Sequence, residues 1–246
     1  ALPASYAQRL ADGLGGIILF SRNLKKQADG TIDVAHLVAQ TAAIHAAAPV
    51  TALCAVDQEG GLVARLRAPF THLPPMRDIG DRDDTELSRR AGRQTGRECL
   101  AAGFNVDFAP ILDIDTNPAN PIIGRRAFGA DAETVTRLAG AFLDGMQEVG
   151  VLGCGKHFPG HGDTDTDSHL ALPVLSFTRD RLAAVEMAPF KALADRMAMV
   201  MTAHILFPEL DRERPATLSP DIMQSLLRDA CGFNGLIVSD DLEMKG

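Results

Sequence analysis

The chain has 246 residues, 46% of them hydrophobic, and a formal net charge of −8. That length suits one domain of α/β-barrel size with a sizeable core. The acidic balance and the lack of any Lys/Arg run exclude an electrostatic nucleic-acid binder, and no apolar run nears the roughly 20 residues that cross a bilayer.

In chain order, short apolar runs alternate with segments of helical spacing. The runs are GGIILF (15–20), VTALCAVD (50–57), FNVDFAPILD (104–113), VLGCGKHF (151–158), AMVMTAHI (198–205) and GLIVSD (235–240). They are continuous rather than alternating, which predicts parallel strands buried on both faces. Between them, helices are predicted over 31–48, 84–103, 131–150, 178–196 and 219–232. In the third, Val135, Leu138, Phe142, Met146 and Val149 share a face, Asp131 caps the start and Gly150 suits the left-handed position after the end. Pro189 is expected to kink or split the fourth. Ser219, Pro220 and Gly232 supply cap, first position and stop for the fifth.

The four cysteines (Cys54, Cys99, Cys154 and Cys231) form no Cys-x-x-Cys pair, and Cys54 and Cys154, inside apolar runs, read as buried thiols. With no signal-peptide pattern in view, they fit a reducing, cytoplasmic compartment.

Strand–helix alternation implies a parallel sheet. Every run ends in polar residues: Ser21-Arg22-Asn23, Asp57-Gln58-Glu59, Asp113-Ile114-Asp115, Lys156-His157, His204 and Asp240-Asp241. A barrel gathers such ends into one ring, whereas an open doubly wound sheet concentrates its chemistry at one switch point. No G-x-G-x-x-G follows a strand. The fold class expected is therefore α/β, a TIM-type (β/α)8 barrel over residues 1–246 as a single catalytic domain. Only six strands are visible, so this chain is expected to lack the first and last, with its ends truncated or disordered.

KHFPGHGDTDTDSH (156–169) concentrates the polar chemistry. Metal binding is one interpretation. His157 and His161 have H-x3-H spacing, but Pro159, Gly160 and Gly162 oppose the helix that would align them. Asp163, Asp165 and Asp167 begin like a calcium loop, yet Ser168 and Val174 stand where Gly and Glu are required. Acid–base chemistry is the other. An Asp167 that accepts the His169 N–H fixes the tautomer, and histidine exchanges protons near neutrality. The bland alternative is a solvated loop with Asp167 capping a turn. Asp240 can serve as a nucleophile beside a sugar while Asp241 caps the next helix.

Four stretches in order, AVDQEGGLVARL (55–66), NPIIGRRAFG (120–129), KHFPGHGDTDTDSH (156–169) and GLIVSDDLEM (235–244), resemble the β-N-acetylglucosaminidase (NagZ) type of family 3 glycoside hydrolases; GGIILFSRN (15–23) fits as well. The resemblance implies a TIM-type barrel that removes terminal β-linked N-acetylglucosamine with retention, without a cofactor. It makes Asp240 the nucleophile and His169, paired with Asp167, the general acid/base. It assigns sugar contacts to Asp57, Arg126, Lys156 and His157, and adds Arg65. Arg126 is expected to fork onto vicinal hydroxyls. A structural salt-bridge network under the strand ends is the competing role for Asp57, Arg126 and Lys156. His161 is expected to stabilise a turn and His204 to form a pocket wall.

The rivals keep or change the chemistry. A β-N-acetylglucosaminide phosphorylase or a β-glucosidase would use the same site. A metal-dependent hydrolase would use His157, His161 and Asp163, and a sugar-binding relic would catalyse nothing. The implied partner is a small carbohydrate, such as a peptidoglycan fragment, with neither nucleic acid nor a membrane span; the oligomeric state is left open.

Overall fold

The computed structural model describes residues 2–166 and 171–244. Its strands are β1 (Gly16–Ile18), β2 (Leu53–Val56), β3 (Gln58–Gly60), β4 (Val63–Ala64), β5 (Val106–Asp107), β6 (Leu152–Phe158), β7 (Met199–Thr202) and β8 (Leu236–Ser239). Its main helices are α1 (Ala4–Ala11), α2 (Val34–Ala47), α3 (Met76–Gly80), α4 (Thr85–Ala101), α5 (Ala132–Gln147), α6 (Arg179–Ala184), α7 (Ala188–Ala192) and α8 (Asp221–Ala230), the last wound as a π-helix.

All six expected strands lie in one parallel sheet, ordered β1-β2-β5-β6-β7-β8. Sequential order with helical crossovers is the pattern of a barrel wall, here a half-barrel of six strands. The run 104–113 pairs in two pieces. After β5, Cys154 N–H donates to the Ala109 carbonyl at 2.8 Å and Leu112 N–H to the Lys156 carbonyl at 2.7 Å. Pro110 between them has no N–H to give.

Ala55, Val106, Cys154, Met199 and Met201 pack inside the arc. The helices cover its outside. α1 and α2 enclose Leu10, Leu37 and Ile44 against β2, and α5 brings Val135, Leu138, Phe142 and Met146 against the rest of the sheet. The closest helix pair is α4 and α5, which approach through glycine. A Cβ on Gly92 would sit 2.0 Å from the Phe142 carbonyl oxygen, and one on Gly145 would sit 2.0 Å from that of Arg89.

The caps follow the sequence. Asp131 accepts the Thr134 N–H at 2.8 Å, and Gly150 and Gly232 sit at φ +89° and +75°. Ser219 accepts the Ile222 N–H at 3.3 Å, although α8 starts one residue later than expected. Segment 178–196 is split, but the break lies at 185–187, with Pro189 in the first turn of α7, where a missing N–H is harmless. The β3–β4 hairpin, α1 and α3 were not expected.

Alanine at Gly92 forces α4 and α5 apart. Gly92→Ala is expected to cost about 1–3 kcal/mol, read as a lower urea midpoint with an unchanged slope.

Candidate active site

The strand ends bring their polar residues to one cavity of about 150 Å³. Asp57, Glu59, Arg65, Arg126, Lys156, His157, His161 and Asp240 all line it. Asp57, Arg65, Arg126, Lys156, His157 and Asp240 were candidates from sequence. The other two candidates, Asp167 and His169, lie outside the described residues.

Lys156 and His157 are consecutive in β6, and successive strand residues normally point to opposite faces. Here the β6–β7 register shifts between Lys156 and Phe158. Such a bulge re-aims a side chain, so both residues face the cavity.

Glu59 sits on the β3–β4 hairpin, whose fold is clasped by Gln58. The Gln58 side chain accepts the Leu66 N–H at 2.9 Å and donates to the Leu66 carbonyl at 3.2 Å. Arg126 forks onto Glu59, Nε to Oε2 at 2.9 Å and Nη2 to Oε1 at 2.8 Å. Lys156 Nζ lies 2.6 Å from Glu59 Oε1 and 3.1 Å from Asp57 Oδ1. Arg65 Nη2 closes the chain of charges at 3.3 Å from Asp57 Oδ2.

The fork expected to grip vicinal hydroxyls is thus taken by Glu59. A third Arg126 donor, Nη1, reaches the Ile122 carbonyl at 3.3 Å. Burial pushes Glu59 towards neutrality, but the charges of Arg126 and Lys156 outweigh it and hold the carboxyl well below its usual range. Burial likewise opposes the Lys156 ammonium, and Glu59 with Asp57 raises it above its ordinary value.

Asp113 is fully buried and organises the histidines. It accepts His157 Nδ1 at 2.7 Å, and its Oδ1 accepts the His161 backbone N–H at 2.7 Å. Burial raises its carboxyl, but the charge and hydrogen bond of His157 bring it below the ordinary value. His157 Nδ1 therefore carries its proton toward Asp113. Nε2 faces Asp240 Oδ2 across 3.9 Å, too long for a hydrogen bond.

Asp240 Oδ1 accepts the Asp241 N–H at 2.8 Å. Burial pushes its carboxyl up, but the charge of His157, the Asp241 N–H and Lys156 hold it below its ordinary value, so it is ionised near neutrality.

His161 stabilises its turn, as expected. Thr164 Oγ1 donates to the His161 carbonyl at 3.1 Å and so accepts from His161 Nδ1 at 2.8 Å. Burial, then the charge of His157, pushes this imidazole down to about 4. Asn120 ties that turn to the loop carrying Arg126, donating to the His161 carbonyl at 2.9 Å and accepting the Ile122 and Ile123 N–H groups. Among the described residues, no group of three or more His, Cys, Asp or Glu is arranged to hold a metal.

Glu59 and Asp113 carried no assigned role in the sequence, although both stand in polar clusters at strand ends. Asp107 lies beneath them. Its Oδ1 accepts the Gln58 N–H at 2.9 Å, its buried Oδ2 has no hydrogen-bond partner among the described residues, and burial pushes the carboxyl well above the usual range.

Residues 6–246 match the family model described as the glycosyl hydrolase family 3 N terminal domain. A β-hexosaminidase of Thiobacillus denitrificans is 42% identical over 97% of this chain and 66% of its own length, and one of Neisseria meningitidis serogroup C is 41% identical over 97% and 66%. The chain thus spans about two thirds of these relatives. The crystal structure of NagZ from Neisseria gonorrhoeae in complex with N-trifluoroacetyl-D-glucosamine superimposes with a TM-score of 0.90 at 39% identity, over 98% of this chain and 71% of that one. A glycoside hydrolase family 3 β-N-acetylglucosaminidase from Paenibacillus sp. str. FPU-7 gives a TM-score of 0.92 at 41% identity, over 98% and 46%.

Pairing lowers the Glu59 pKa from its ordinary 4.5, so its stabilisation is fully present above that pH and lost as pH falls below it. Glu59→Gln leaves two buried cations short of a partner. It is expected to cost roughly 3–5 kcal/mol near neutrality and to flatten the acid-side loss of stability, measured by urea unfolding across that pH range.

Proposed function

Because the chain belongs to the family of glycosyl hydrolase family 3 N-terminal domains, we propose that it is a retaining exo-β-N-acetylglucosaminidase acting on terminal β-linked N-acetylglucosamine of glycosides or peptidoglycan fragments. We take residues 1–246 as one catalytic domain.

The observation that carries this reading is the state of the carboxylates. Glu59 and Asp57 are tied to cations, and Asp113 is fully buried beneath His157. Asp240 has one oxygen held by a backbone N–H, the other turned toward the cavity, and a side chain 23% exposed. It is ionised and reachable, which a nucleophile requires.

In the first step Asp240 Oδ2 bonds to the anomeric carbon as the bond to the leaving oxygen breaks. His169, oriented by Asp167, gives that oxygen its proton. In the second step His169 takes a proton from water, whose oxygen displaces Asp240 and restores the β-configuration. A histidine acid/base avoids placing another anion beside Asp240. Lys156, His157, Asp57, Arg65 and the remaining Arg126 donors hold the sugar hydroxyls. Arg65 lines the cavity with its side chain 27% exposed, which supports its share in this.

The N-trifluoroacetyl-D-glucosamine bound by the gonococcal relative is of the same substrate class. No described helix is long and apolar enough to cross a membrane, and all four cysteines are buried free thiols, which suits the cytoplasm.

Turnover of an aryl β-N-acetylglucosaminide, compared with an aryl β-glucoside and with added phosphate, tests the assignment. Hydrolysis of the N-acetyl substrate alone, giving no sugar phosphate, is expected. Asp240→Ala is expected to abolish turnover while sugar still binds. His169→Ala is expected to lower kcat/KM by roughly 10²–10⁴ on poor leaving groups and far less on good ones. Full activity in Asp240→Ala overturns the assignment.

A further inference from the structure

His204 lies two residues beyond β7, 5% exposed, with both ring nitrogens engaged. Nδ1 is 2.9 Å from Thr217 Oγ1, and Nε2 is 3.1 Å from the Asp241 carbonyl oxygen. A carbonyl oxygen only accepts, so Nε2 carries hydrogen.

The other side of the ring is adaptable. Thr217 has one hydroxyl proton and two places to send it: His204 Nδ1, or the Ala203 carbonyl at 3.0 Å. When it goes to Ala203, Nδ1 must donate and the ring is an imidazolium. When it goes to Nδ1, the ring is neutral. Nε2–H stays on Asp241 in both cases. Thr217 is itself anchored, because Thr202 Oγ1 donates to it at 3.0 Å and the neighbouring Ala216 N–H holds the Ile205 carbonyl at 2.8 Å.

Asp241 is the residue whose N–H fixes Asp240 Oδ1, while Asp240 N–H donates to the Thr202 carbonyl at 3.2 Å. We propose that His204 is a positioning residue: through the Asp241 carbonyl it clamps the Asp240–Asp241 turn, so that Oδ1 stays on the Asp241 N–H and Oδ2 faces the cavity. The clamp works in either charge state because Thr217 is donor or acceptor as needed. The kinetic consequence rests on Asp240 being the nucleophile; the clamp itself does not.

Two substitutions separate the ring's two contacts. Asn at 204 places its amide near Nδ1, within reach of Thr217 and short of Asp241. Gln at 204 reaches the Nε2 position and can donate to the Asp241 carbonyl. His204→Asn is expected to lower kcat about tenfold, the equivalent of one net hydrogen bond, with KM within about twofold of the parent. His204→Gln is expected to keep most of kcat. Thr217→Val, which removes the ring's other anchor, is expected to lower kcat in the same direction as His204→Asn.

Crystal structures of the three variants give the readout that does not depend on activity. Asp240 is expected to leave the Asp241 N–H in His204→Asn and to stay on it in His204→Gln. If the parent hydrolyses nothing, the proposed function falls while these structures still decide the clamp. Equal loss in the Asn and Gln variants, loss in KM alone, an unchanged kcat in Thr217→Val, or an Asp240 carboxylate unmoved in His204→Asn overturns the proposal.

Discussion

Glu59 is a carboxylate with 2% of its surface exposed, held between the Arg126 fork and the Lys156 ammonium. A buried charge is tolerated only when paired and hydrogen-bonded, and this pairing joins three parts of the chain that are distant in sequence. The β3–β4 hairpin supplies Glu59, the loop after β5 supplies Arg126, and the bulge of β6 supplies Lys156. None of the three can shift without leaving a charge unpaired. The cavity therefore has fixed walls, the condition under which small polar groups can orient a sugar. Asp57 and Arg65 extend the same chain of charges toward solvent, where side-chain exposure rises to 12% and 27%.

Around this centre, environment sorts chemically similar acids into different tasks. Asp107 is fully buried, with one oxygen unpartnered among the described residues and its carboxyl pushed up toward the neutral form. Asp113 is equally buried but faces His157 and the His161 N–H, so it is held below its ordinary value and orients an imidazole. Asp240 keeps part of its surface and one outward oxygen. Acid–base assignments in carboxylate-rich sites arise from such divergence. The three described histidines of the site divide similarly by partner. His157 meets a carboxylate at each end, His161 offers Nδ1 to a hydroxyl, and His204 meets a hydroxyl and a carbonyl.

Most of the scaffold was legible in the sequence because its signals are local. Six apolar runs mark six strands, and Asp131, Gly150, Ser219 and Gly232 mark helix ends by chemistry contained within a few residues. The β3–β4 hairpin was not legible, since strands of three and two residues carry no periodicity and Gly60 and Gly61 read as loop. The split in 178–196 was anticipated at Pro189, yet proline is tolerated in a first turn, and the break falls instead at buried Glu186, which pairs with Arg181 at 2.8 Å. At the site, motifs pointed to Asp57, Arg65, Arg126, Lys156, His157 and Asp240, all of which reach one cavity. The parts played by Glu59 and Asp113 depend on partners 67 and 44 residues away, and no local pattern encodes such a pairing.

The bulge in β6 shows how one local irregularity serves both stability and chemistry. With regular pleating, only one of Lys156 and His157 could face the cavity, and the other would enter the packing between sheet and helices. A lysine there would be a buried, unpaired cation; a histidine there would lose Asp113. Shifting the register between Lys156 and Phe158 turns both inward and returns Phe158 to the core, where its ring packs edge-on against Phe190 at 5.2 Å. The β6–β7 ladder resumes at once, since Phe158 pairs with Thr202 and the Ala203 N–H reaches the Phe158 carbonyl at 2.8 Å. His204 follows directly. The bulge brings Lys156 to Glu59 and His157 to Asp113 on one side of Asp240; on the other, the unbroken β7–β8 register, Met199 with Leu236 through Thr202 with Ser239, sets the point from which His204 reaches across to Asp241.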